Sequence, residues 1–84
     1  MAREQEKILK LKELRERSGM SQSQLAKAAG VNYRTLQDYE MGRSNIDGAK
    51  LKTLLSLCLT LNCRLDELIE DPELVNLIKS YEEA

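Results

Sequence analysis

Apolar and polar positions alternate in blocks that read as helices. Ile8, Leu11 and Leu14 recur at helical spacing, with Glu6/Lys10 and Glu13/Arg17 at i,i+4, which predicts a first amphipathic helix over about 4 to 17. Gly19 ends it. Ser21-Gln22-Ser23-Gln24 matches a capping box, Ser21 covering a free amide three residues on and Gln24 reaching back. A second helix therefore starts at Gln22 and closes at Gly30, which tolerates the left-handed backbone of a helix end. Asn32 then offers a side-chain oxygen as the cap of a third helix, Tyr33 to Met41, stopped by Gly42.

The stretch "LLSLCLTLNC" fits two patterns. Leu55, Leu57, Leu59 and Leu61 alternate like a strand, while Leu51, Leu54, Leu55, Cys58 and Leu61 fit a helix. Length favours helix, extended back to Asp47 because Ala49, Lys50 and Lys52 open a helix better than a strand. From Leu57 through Leu59 its apolar positions sweep roughly 200°, more than one core contact needs. Leu65 and Leu68 mark a short fifth helix, and Asp71-Pro72 supplies a cap and a first-turn proline for a sixth. On that last helix Leu74, Leu77, Ile78 and Tyr81 form one stripe. Together with Leu57 and Leu59, that stripe is expected either to pack within the chain or to meet a second subunit.

Composition narrows the chemistry. At 84 residues the chain fits one domain, with a small core that self-association would help. There is no His, and Cys58 and Cys63 lack the partners that tetrahedral zinc requires, so the cysteines read as reduced apolar fillers. No Gly-rich phosphate loop is present either, and neither catalysis nor a cofactor is indicated. The charged start "MAREQEKILK" lacks an apolar signal core, so a cytoplasmic protein without a membrane anchor is expected. Net charge is only −1, but it is unevenly distributed. Residues 1–43 hold nine Lys/Arg against six Asp/Glu, whereas residues 44–84 hold four against eight. A basic front with an acidic back can still face a polyanion.

Two short helices joined at Gly30 have the layout of a helix-turn-helix, whose second helix enters the DNA major groove. On the third helix Leu36 and Tyr39 share one face with Thr35 beside them, and Tyr33, Arg34, Gln37 and Asp38 fill the opposite arc. Arg can grip guanine O6/N7 and Gln can pair with adenine N6/N7, while Tyr33 suits a thymine methyl or a phosphate. Asp38 can pair with Arg34 at i,i+4 or accept from a cytosine amine.

In "LKELRERSGMSQSQLAKAAGVNYRTLQDYEMGR" and the later "LNCRLDELIE", the chain resembles the lambda-repressor-like (Xre/Cro-type) helix-turn-helix family over about residues 8 to 70. The resemblance implies an all-α five-helix bundle over 1–70, here with a short additional C-terminal helix over 71–84. It implies a transcription regulator that binds a double-stranded DNA operator as a homodimer, with no cofactor. Asn32, Tyr33, Arg34, Gln37 and Asp38 fall on base-facing positions. Gln22, with Ser21 beside it, matches a phosphate-facing helix start, and Arg43 a basic phosphate position with Ser44 and Asn45 as helpers. Arg15 and Glu40 correspond to a partly buried ion pair. Departures are Met41, where the family often has Asn, Asp38, where a neutral or basic residue is commoner, and Leu59, usually polar. Repression by promoter occlusion is the expected activity. The alternatives are an antitoxin whose C-terminal segment binds a toxin partner, and an adaptor that uses the fold for protein contacts only.

Overall fold

The structure, a computed structural model, describes residues 8–84. The described residues form six α-helices and no strand. These are α1 (Lys10–Ser18), α2 (Gln22–Ala29), α3 (Tyr33–Met41), α4 (Leu51–Leu61), α5 (Leu65–Leu68) and α6 (Pro72–Glu83), with a 3-10 turn at Ile46–Gly48. Gly19, Gly30 and Gly42, the residues directly after the first three helices, all take the left-handed conformation, at φ between 70° and 79°. Asn62 does the same after α4, the work a short polar side chain can do there.

The core draws on the first five helices. Leu11, Leu25, Leu36, Leu57, Leu68 and Ile69 have lost almost all contact with solvent, each such burial contributing roughly 1.5–3 kcal/mol. Val31 and Tyr39 pack half-buried against this cluster. Helix α6 lies outside it: Leu74, Val75 and Ile78 touch the core, but none of its residues is fully buried.

Two expectations change. The first helix begins at Lys10, because Leu9 is extended (φ −71°, ψ 151°) and Ile8 is exposed; residues 4–7 and the Glu6 partner of Lys10 lie outside the described residues. No side chain caps α1 locally. Instead the Lys10 backbone N–H donates to Glu70 Oε2 at 2.6 Å and its ammonium donates to the Ile69 carbonyl at 2.8 Å. A carboxylate at a helix start also meets the positive end of the helix dipole.

The fourth helix begins at Leu51 rather than Asp47. Asn45 Oδ1 accepts from the Asp47 N–H and closes a 3-10 turn, after which Ala49 and Lys50 are extended. The Asp47 carboxylate accepts from the Glu70 and Asp71 amides at 2.8 and 2.9 Å, fixing this turn against the start of α6. Of the two alternatives for Leu57 and Leu59, Leu57 takes packing within the chain, at 0% exposure in the core. Leu59, two residues on, is 83% exposed.

Candidate nucleic-acid interface

Local chemistry fixes α2 against α3. Ser21 Oγ accepts from the Gln24 N–H at 3.0 Å and Gln24 Oε1 accepts from the Ser21 N–H at 2.8 Å, a reciprocal capping box. At the other end the Val31 N–H donates to the Ala26 carbonyl at 2.9 Å and the left-handed Gly30 N–H to that of Lys27, so the chain reverses within two residues. Asn32 Oδ1 then accepts from both the Arg34 and Thr35 amides, opening α3.

A buried charge holds this unit to α1. Arg15 Nε donates to Glu40 Oε2 at 2.6 Å and its Nη2 to Glu40 Oε1 at 3.1 Å, while the Glu40 side chain keeps 1% of its exposure. The third arm of the guanidinium, Nη1, donates to the Met20 carbonyl just before α2. The hydrogen bond to Glu40 outweighs the burial penalty and raises the pKa of Arg15. Gln22 Nε2 completes the cluster with a 3.0 Å bond to Glu40 Oε1. One carboxylate thus ties α1, the start of α2 and the end of α3 together.

With that inner side locked, the outer side of α3 carries the sequence-predicted readers. Tyr33 is 48% exposed. Arg34 is exposed and makes no ion pair among the described residues, so the expected Arg34–Asp38 pair does not form. Asp38 instead accepts from Arg43 Nε at 2.9 Å, because the left-handed Gly42 turns the chain back and brings residue 43 over the end of α3. Gln37 is half-buried beside it. Asn32 is exposed, but its carbonyl oxygen is already used by the cap.

The residues with phosphate-facing expectations divide. Ser44 is exposed next to Arg43, whereas Asn45 Oδ1 is engaged in the 3-10 turn and Ser21 Oγ in the capping box. Gln22 is half-buried with its amide nitrogen committed to Glu40, a contact across 18 residues that no local pattern signals. Burial pushes the Cys58 thiol up to about 12 and raises Cys63 too, so both stay protonated at neutral pH and neither is a reactive thiolate.

Among the described residues no group of acidic, His or Cys side chains could hold a metal ion, and no helix is long and apolar enough to cross a membrane. The chain matches the helix-turn-helix family over residues 11–68, more than half its length and the whole of α1 to α5 except Lys10. A search of the curated proteins found no match. The capped α2–Gly30–α3 unit, clamped by Arg15 and Glu40 inside an all-helical bundle, accounts physically for that match, and the chain belongs to the lambda-repressor/Xre-like helix-turn-helix family of DNA-binding transcription regulators.

Proposed function

We propose that this protein is a sequence-specific repressor that occupies a promoter as a homodimer in the cytoplasm. Residues 1–70 form the reading domain, and 71–84 add a helix for packing or dimerisation. The observation that carries the reading is the outer side of α3, where Tyr33 and Arg34, the latter without an ion pair among the described residues, stand exposed on a helix whose inner side is locked by Glu40. Phosphate contacts from Arg43, Ser44, Ser21 and the start of α2 at Gln22 set the register, and Arg34, Gln37 and Tyr33 read base edges. Asn32 and Asp38 sit at the margin of that contact.

Selection of the purified protein against a random duplex library tests this. A palindrome with half-site centres about 34–36 Å apart is expected, one helical turn of DNA. Arg34→Ala should then relax selection at one base pair and cost roughly 1–3 kcal/mol there. Equal loss on every sequence would assign Arg34 to phosphate, and no enrichment at all would defeat the reading.

A second reading, an antitoxin that also represses its own operon, is favoured by one observation: Leu77 and Tyr81 near the C-terminus are mostly exposed. A toxin co-purifying with the protein and released by truncation before Pro72 would support it.

A further inference from the structure

The end of α4 brings together two side chains that DNA reading does not use. Asn62 leaves the helix in the left-handed conformation, and the Cys63 N–H then donates to the Cys58 carbonyl at 3.0 Å. That bond marks a Schellman closure, in which the residue just past the turn packs its side chain on the residue one turn before the helix end. Here both residues are cysteines. Cys58 is buried in the core, Cys63 packs half-buried against the same cluster, and the two thiols share a hydrogen bond. The backbone bond between them also holds their Cα atoms within the roughly 4.4–6.8 Å that a disulfide spans. On its outer side Cys63 lines a cavity of about 250 Å³, together with Arg17 and Ser18 at the end of α1 and Glu67 on α5.

We propose that Cys58 and Cys63 are an oxidation site, which a small-molecule disulfide of the glutathione class converts into an internal disulfide clasping the end of α4 to the entry of α5. Cys63, the one that solvent reaches, loses its proton and attacks one sulfur of the oxidant. The external S–S bond breaks, a mixed disulfide forms and the first small thiolate leaves. Cys58 then loses its proton and attacks Cys63 Sγ, expelling the second small thiolate. The two leaving thiolates take up the two released protons, so one external disulfide is reduced to two thiols as the cysteine pair is oxidised. The surroundings set the character of this bond. Burial above all, with Glu67 and Asp66 adding to it, disfavours a thiolate at either cysteine, and Arg17 is the one cation on the cavity wall among the described residues. A disulfide is neutral and apolar, and suits that site as a thiolate-bound metal ion does not. Closure is slow because little thiolate is present, and reopening is slow because a high-pKa thiol leaves poorly. The pair is a latch, open while its compartment stays reducing and closed by a sustained rise in external disulfide.

Incubating the full chain with oxidised glutathione, quenching in acid and weighing it intact tests this. Native wild type should lose two hydrogens and keep no adduct, at a rate that rises about tenfold per pH unit below pH 9. Cys58→Ala should stop at a stable glutathione adduct on Cys63, and Cys63→Ala should react at least about tenfold more slowly than wild type. At one fixed ratio of oxidised to reduced glutathione, native wild type at equilibrium should be closed at least about tenfold further than the same chain in urea, because the fold already holds the thiols together. A native wild type that keeps an adduct without closing would overturn the clasp. So would a bond between two chains in place of the internal one, or a urea-unfolded chain that closes as readily as the native one. Those three outcomes are read on the wild type alone, so they decide the matter even if Cys58→Ala does not fold.

Discussion

The joint that holds α3 in place and the flank that α4 shares with α6 are built from opposite materials. Around Glu40 a full charge is buried, yet Arg15 and Gln22 supply donors to both carboxylate oxygens and Met20 takes the remaining guanidinium arm. No buried side-chain nitrogen or oxygen among the described residues lacks a partner. Along the α4–α6 flank the surface is mostly leucine and tyrosine left in water, with Glu82, bridged to Arg64 at 2.8 Å, as its charged edge. Hydrogen bonds are directional, so the first region fixes the angle of α3 while its outer face stays polar. Burial is non-directional, so the second region fixes no angle and retains surplus apolar area.

The largest effect should come from breaking the directional joint. Glu40→Ala strands the Arg15 guanidinium and is expected to cost roughly 3–5 kcal/mol in denaturant unfolding. Arg15→Met combined with Glu40→Leu should lose less than Glu40→Ala alone, because no uncompensated charge remains. If the double change is the worse of the two, the pair is stabilising in its own right and the contrast with the apolar flank weakens. On the apolar side Leu57→Ala should cost about 2–5 kcal/mol through lost burial and a residual cavity, read in the same titration.

Legibility in the sequence followed range. Caps and stops were readable because their partners lie within four residues: Ser21 with Gln24, Gly30 after α2, Asn32 before Arg34, Gly42 after Met41. The base-facing arc of α3 was readable for the same reason, since 100° per residue is enough to sort Tyr33 and Arg34 from Leu36. Contacts that need packing were not. Asp47 meets residues 70 and 71 only because the bundle closes there, and that contact ends the helix that propensity would have begun at Asp47. The first helix begins at Lys10 because Leu9 is extended and a carboxylate 60 residues away receives the Lys10 amide. Asp38 found Arg43 across a left-handed glycine, a reversal that i,i+4 reasoning along α3 could not include.

That last contact allows a subtler test of the polar face. Asp38→Asn removes a negative charge from α3 and frees the Arg43 guanidinium, whose side chain is 54% exposed. Stability should change by no more than about 1 kcal/mol, the range of exposed pairs. Affinity for all duplexes should rise, with the dependence of log affinity on log salt steeper by roughly one phosphate contact. A gain confined to one sequence would place Asp38 among the base readers instead.

The smallest expected change is Leu59→Gln, and it makes the sharpest comparison because it sits two residues from Leu57 on the same helix. Two residues turn a helix by about 200°, which carries the side chain from the core to open solvent. At 83% exposure the monomer gains little from Leu59, so unfolding measured at low concentration, where the chain is monomeric, should shift by less than about 0.5 kcal/mol. Glutamine keeps helix propensity near that of leucine, which removes the backbone as a cause of any difference. At high concentration the wild type should gain stability with concentration by mass action, and Leu59→Gln should gain less. Equal concentration dependence in the two proteins would place Leu59 outside the dimer contact and leave its exposure as ordinary surface.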